Sequence, residues 1–129
     1  MSIRAMMAAH PSVAGKLDKE LAAAVRHSMY SALICTSCAD ACVAEAMEMR
    51  QCIRICLDCA DICNATAMVA IRRAGSNEQM LRATLQICAE SCDRCATDCL
   101  LHEPEHCHLC AKVCRECAAY CRRAAANIL

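Results

Sequence analysis

Fifteen of the sixteen cysteines in this 129-residue chain fall on one repeated spacing, C-x3-C-x2-C-x3-C. Three copies are whole: Cys52, Cys56, Cys59, Cys63; then Cys88, Cys92, Cys95, Cys99; then Cys110, Cys114, Cys117, Cys121. A fourth opens on serine instead, as Ser31, Cys35, Cys38, Cys42. Steps of three and four residues follow the period of an α-helix, so each copy lays its thiols along one stripe of one helix. The spacing predicts an all-α chain organised around soft-metal chemistry.

Only two glycines and two prolines interrupt the pattern. Gly75 suits the residue after a helix, and Ser76 with Gln79 resembles a capping box, so one helix stops and another starts there. Pro104, after His102 and Glu103, fits a first helical turn. Pro11 and Gly15 confine the first long helix to about Leu17 onward. Between Cys42 and Cys52 neither breaker occurs, and one continuous helix would satisfy the period. An internal repeat decides the point: 52–63 matches 110–121 at an offset of 58, and 35–42 matches 92–99 at an offset of 57. The second half breaks at Pro104, so the first half is expected to break near 46–50.

The chain thus reads as a duplicated α-hairpin. Two antiparallel hairpins with short loops make an up-down-up-down four-helix bundle. The expected division is a tail or short cap over 1–16 and a bundle over 17–129, with helices at about 17–47, 50–74, 77–101 and 104–126. Folding each hairpin at its loop sets Cys42 level with Cys52, Cys38 with Cys56, Cys35 with Cys59 and Ser31 with Cys63. In the second hairpin Cys99 meets Cys110, Cys95 meets Cys114, Cys92 meets Cys117 and Cys88 meets Cys121. Stacked level, the hairpins give four layers of inward positions in a column ~16 Å long, at about 1.5 Å per residue. Cys107 lies just beyond the first layer.

That end is the expected mouth. The stripe continues there with Met49 and His102, and Glu45, His106, Cys107 and His108 are close, with Met47 in reach. Thioether and imidazole are soft or borderline donors, suited to passing a soft ion inward. The opposite end offers Ser28, Ser31, Thr66, Thr84, Leu81, Leu85, Ala124 and Ile128, a plug of small and aliphatic side chains. His27 reads there as a histidine on a helix flank, and Met29, Met68 and Met80 as packing residues.

Composition removes other classes. The 14 basic and 14 acidic residues balance, and there are two tyrosines but no Phe or Trp. With neither a basic patch nor a stacking platform, nucleic acid is not an expected partner. No apolar run is long enough for a membrane span. The Met/Ala run at the N-terminus falls short of a signal-peptide core, so the expected compartment is the cytoplasm, where thiols stay reduced.

Packing alone explains one or two buried cysteines, not fifteen central positions. Disulfides fit poorly, because these thiols share helical faces along which neighbouring Cβ vectors run parallel. Zinc and iron–sulfur sites usually draw ligands from turns, which this Gly-poor chain lacks. A zinc-thiolate store or sensor holding about four ions remains the alternative. A thiol redox protein using Cys107 and Cys110 at a helix start is a weaker one. A di-iron centre is excluded, since Glu103/His106 and Glu105/His108 both lie at one helix start.

Monovalent copper suits the pattern best. Cu(I) accepts two or three thiolates, so every sulfur in a continuous column can be shared between neighbouring ions. Each thiol gives up a proton to become a ligand. One Cu(I) per thiolate therefore leaves the core charge unchanged, whereas zinc on four thiolates leaves two negative charges per site. The empty core of neutral thiols carries no charge either, so the bundle is expected to fold without metal. The chain is read as a non-enzymatic store holding multiple Cu(I) ions on Cys35, Cys38, Cys42, Cys52, Cys56, Cys59, Cys63, Cys88, Cys92, Cys95, Cys99, Cys107, Cys110, Cys114, Cys117 and Cys121. Its expected partners are copper ions, small-molecule copper ligands and copper-dependent apo-enzymes.

Over residues 17–126 the four cysteine stripes, with His and Met at one mouth, resemble the cytosolic bacterial copper storage proteins. The resemblance implies a four-helix bundle filled with Cu(I), a homotetramer, and access through the histidine-rich mouth. Exported relatives carry a twin-arginine signal and a Met-rich mouth, and this chain shows neither. Ser31 departs from the pattern and puts one binding position of the innermost layer in doubt.

Overall fold

The computed structural model describes residues 2–72 and 77–128. Every regular element among them is a helix: α1 (Ile3–Ala8), α2 (Lys19–Val43), α3 (Arg50–Ile71), α4 (Glu78–Cys99) and α5 (Glu105–Ala126). α2 packs on α3 and α5, and α4 packs on the same two, so the long helices close a ring around their cysteine stripes. α1 lies against α2.

Local chemistry sets the helix ends. The Asp18 carboxylate accepts from the Leu21 backbone N–H at 3.0 Å and so caps α2. Gly15 takes a left-handed φ of 81°, which turns the chain back between α1 and α2. Its N–H then reaches the Ala8 carbonyl at 2.9 Å. The stop at Gly75 and the start at Ser76 expected from the sequence lie outside the described residues.

The break between α2 and α3 falls at 44–49, with α2 ending at Val43 instead of 47. The Ala44 and Glu45 N–H groups fall back on the Ala41 and Cys42 carbonyls at 3.1 and 3.2 Å, tightening the last turn. Glu48 then starts the next helix. Its carboxylate accepts from the Arg50 backbone N–H at 2.7 Å and pairs with the Arg50 guanidinium at 2.8 Å. Those hydrogen bonds draw the Glu48 carboxyl down to about 2. A carboxylate therefore does what no glycine or proline is present to do. The second hairpin bends sooner than expected as well, with α4 ending at Cys99 and Pro104 standing as the cap of α5.

The core is built from two small residue types. All sixteen cysteines are buried, and alanines at Ala39, Ala60, Ala89, Ala96, Ala111 and Ala118 are buried directly after a cysteine. Each Cys-Ala step turns a thiol toward the column and a methyl toward a neighbouring helix. Small side chains at that seam let helices approach closely, toward the short end of the usual ~8–10 Å interaxial range. Beyond the thiols, at the end away from the mouth, Leu21, Val25, Leu81, Leu85 and Ala124 fill the core. Met7 of α1 is buried in the same cluster. Met29, Met68 and Met80, expected to pack, are exposed instead.

Candidate metal centre

Each long helix directs its stripe inward, and no disulfide forms among the sixteen thiols. Neighbouring sulfurs stand 3.4 to 4.0 Å apart. With metal–sulfur bonds of about 2.3 Å, sulfurs around one shared ion stand roughly 4 Å apart. The column is therefore spaced for ligation.

Three groups of four buried thiols converge closely enough to hold an ion: Cys38, Cys56, Cys99 and Cys110; Cys35, Cys59, Cys95 and Cys114; Cys63, Cys88, Cys92 and Cys117. Pairs expected within a hairpin meet, as in Cys38 with Cys56 and Cys95 with Cys114. The hairpins do not stack level. Cys56 sits between Cys95 and Cys99, at 3.7 and 3.8 Å. Cys63 sits between Cys88 and Cys92, at 3.7 and 3.5 Å. Cys35 likewise lies between Cys110 and Cys114, at 3.8 and 3.4 Å. A loop fixes register inside a hairpin, but between hairpins the register follows from side chains fitting into the gaps of the facing helix. The four level layers are thus replaced by one interleaved column.

The stagger changes both ends. At the mouth Cys42 meets Cys38, Cys107 and His106 instead of closing a layer with Cys99 and Cys110. At the far end the serine that faces the thiols is Ser28, not Ser31. The Ser31 hydroxyl donates to the Val113 carbonyl at 3.5 Å. His27 stacks on the Tyr120 ring at 4.1 Å, consistent with a flank position, and burial lowers its pKa.

The mouth residues divide into three roles. His106 faces the thiols, with Nδ1 3.3 Å from the Cys38 sulfur and 3.7 Å from that of Cys107. Its Nε2–H donates to the Glu45 carboxylate at 2.9 Å, which fixes the tautomer and leaves the Nδ1 lone pair for a metal. His102 joins Cys52 and Asp98 in a second group with mixed N, O and S donors. His108 is turned away, its Nε2–H donating to the His102 carbonyl at 2.8 Å, so it braces the α4–α5 turn. Met49 is buried at the start of α3, while Met47 is exposed.

Asp98 is a further donor at this end that the cysteine, histidine and methionine pattern does not mark. One of its carboxylate oxygens is buried without a hydrogen-bond partner and lies 3.8 Å from His102 Nε2. The signal for it was the i,i+4 spacing of Asp98 and His102 at the end of α4. Burial, and after it the neighbouring Cys42 and Cys99, pushes the Cys107 thiol up to about 11. Burial is also the leading cause of a raised Cys52 pKa. At neutral pH these thiols keep their protons until a metal replaces the charge.

A helical ring enclosing a continuous thiol column, with an imidazole poised at one end, defines a multi-ion metal-binding protein. The chain belongs to the copper storage protein family, whose sequence model matches residues 17–126. It is similar to the Streptomyces lividans copper storage protein Ccsp loaded with 10 copper equivalents, at 36% identity and a TM-score of 0.92. That match covers 97% of this chain and 98% of the other. The cytosolic Streptomyces lividans protein carrying five coppers matches at 38% identity and a TM-score of 0.83, covering 86% of this chain and 96% of that one. A cysteine-rich Bacillus subtilis protein, YhjQ, is 34% identical over 80 residues, 60% of this chain and 70% of its own length.

Proposed function

We propose that the protein stores copper as Cu(I) along the thiol column and thereby buffers the metal in the cytoplasm. The observation that carries this reading is sulfur contact from one donor group to the next: Cys35 with Cys110 at 3.8 Å, Cys56 with Cys95 at 3.7 Å and Cys59 with Cys92 at 3.8 Å, while Cys38 belongs to two groups at once. Shared thiolates suit a monovalent ion with two or three ligands, and separate tetrahedral zinc sites do not use them. The similar Streptomyces lividans protein is described as a cytosolic copper storage protein. Among the described residues no helix is long and apolar enough to cross a membrane.

Filling starts at the mouth. Cu(I) meets His106 Nδ1 and the sulfurs of Cys38, Cys42 and Cys107, with Cys52, Asp98 and His102 as a second receiving group. It then passes inward by exchange between thiols less than about one shared-ion spacing apart, releasing one proton per thiolate. The sixteen cysteines are read as the ligands, and Glu45 as the residue that orients His106. The long helices are read as an antiparallel up-down-up-down four-helix bundle from a duplicated hairpin, with residues 1–16 as a cap. A homotetramer would use exposed apolar side chains such as Leu57 and Leu100. A redox enzyme is disfavoured because Cys107 and Cys110 are both fully buried.

The test is titration of reduced protein with Cu(I) beside a chromophoric Cu(I) chelator. Uptake near one ion per thiol is expected. Saturation at one or two ions per chain would sink the storage reading, and about four tightly held zinc ions in preference to copper would favour the zinc alternative.

A further inference from the structure

The cysteine repeat points to Ser31 as the missing thiol, but the folded chain points elsewhere. Ser28 is fully buried, and its hydroxyl lies 3.8 Å from Cys88, 3.8 Å from Cys117 and 3.7 Å from Cys121. Those separations match the thiol–thiol spacings of the column itself. Ser28 therefore stands where a ligand would stand. Ser31 is equally buried, but its hydroxyl donates to the Val113 backbone carbonyl at 3.5 Å.

A serine hydroxyl is a hard, neutral oxygen that stays protonated, and soft Cu(I) selects sulfur over it. Cys121, whose sulfur is 3.9 Å from that of Cys117, is the last cysteine of α5. Past it, no soft donor continues the stripe. The buried Thr66 hydroxyl is already spent on the Ile62 carbonyl at 2.7 Å, and leucines and alanines follow.

We infer that Ser28 is a deliberately blank ligand position that ends the copper column, so that this one residue sets the capacity of the store at its blind end. The inference rests on the copper-storage reading.

Three variants test it by Cu(I) titration of reduced protein, with helicity checked by circular dichroism. Ser28→Cys is expected to take up one more Cu(I) per chain than the parent. Ser28→Ala and Ser31→Cys are expected to match the parent. A gain in Ser31→Cys, a loss of one ion in Ser28→Ala, or a folded Ser28→Cys with the parental count overturns the inference. If Ser28→Cys does not fold, the other two variants still decide. A parent that binds only one or two ions refutes storage itself, a different outcome from a full parent with an unresponsive Ser28→Cys.

Discussion

On the proposed storage reading, Glu45 acts on the metal path through one hydrogen bond. By accepting from His106 Nε2–H it turns the other ring nitrogen toward Cys38 and Cys107. Such outer partners are commonly worth 10–100-fold in metal affinity. Glu45→Ala should weaken the His106 group's ion by about that factor while leaving the total count unchanged, as measured by competition with a graded series of Cu(I) chelators. A second consequence concerns pH. Burial raises the Cys107 pKa from an ordinary value of 9.0 to about 11 in the folded chain. The folded state then holds that proton more tightly than the unfolded state does. The resulting stability is fully present below about pH 9 and is lost as pH rises through about 11. Thermal unfolding of metal-free, reduced protein across pH 7 to 11 should show a flat region and then a decline.

Between helices the alanines govern. Ala118 is 1% exposed and sits beside Cys117 on α5. Ala118→Leu adds bulk to a seam with no room to spare and should cost about 1–3 kcal/mol in urea unfolding of the metal-free protein. The sequence made the elements legible because the cysteine period marks each helix and its inner face together. The pairing within hairpins was legible too, since a short loop ties Cys38 to Cys56. The offset between hairpins was not, because it depends on how Cys56 fits between Cys95 and Cys99. That unknown moved Cys42 into the mouth and put Ser28 in the place expected for Ser31. The Glu48–Arg50 start of α3 was not legible either, since side-chain capping of this kind carries no breaker residue. Asp98 shows in the sequence only through its i,i+4 spacing from His102, a weak signal beside four cysteine stripes.

For the whole molecule, metal and fold are linked through one core. Metal-free protein is expected to fold around neutral thiols, and each ion bound only to the native state adds stability. At a free concentration one hundred times its dissociation constant, one ion adds about 2.7 kcal/mol. Copper-loaded protein should therefore melt well above the empty form, and a strong chelator should return it to the starting Tm. Calorimetry of both forms checks this. The interleaving of the two hairpins has a consequence for wear. With no separate rungs, a thiol lost to peroxide removes a link from a mesh whose neighbours still touch across the gap. The protein should lose holding power in small steps and keep passing metal to its deeper half, ageing gradually instead of failing at a single blow.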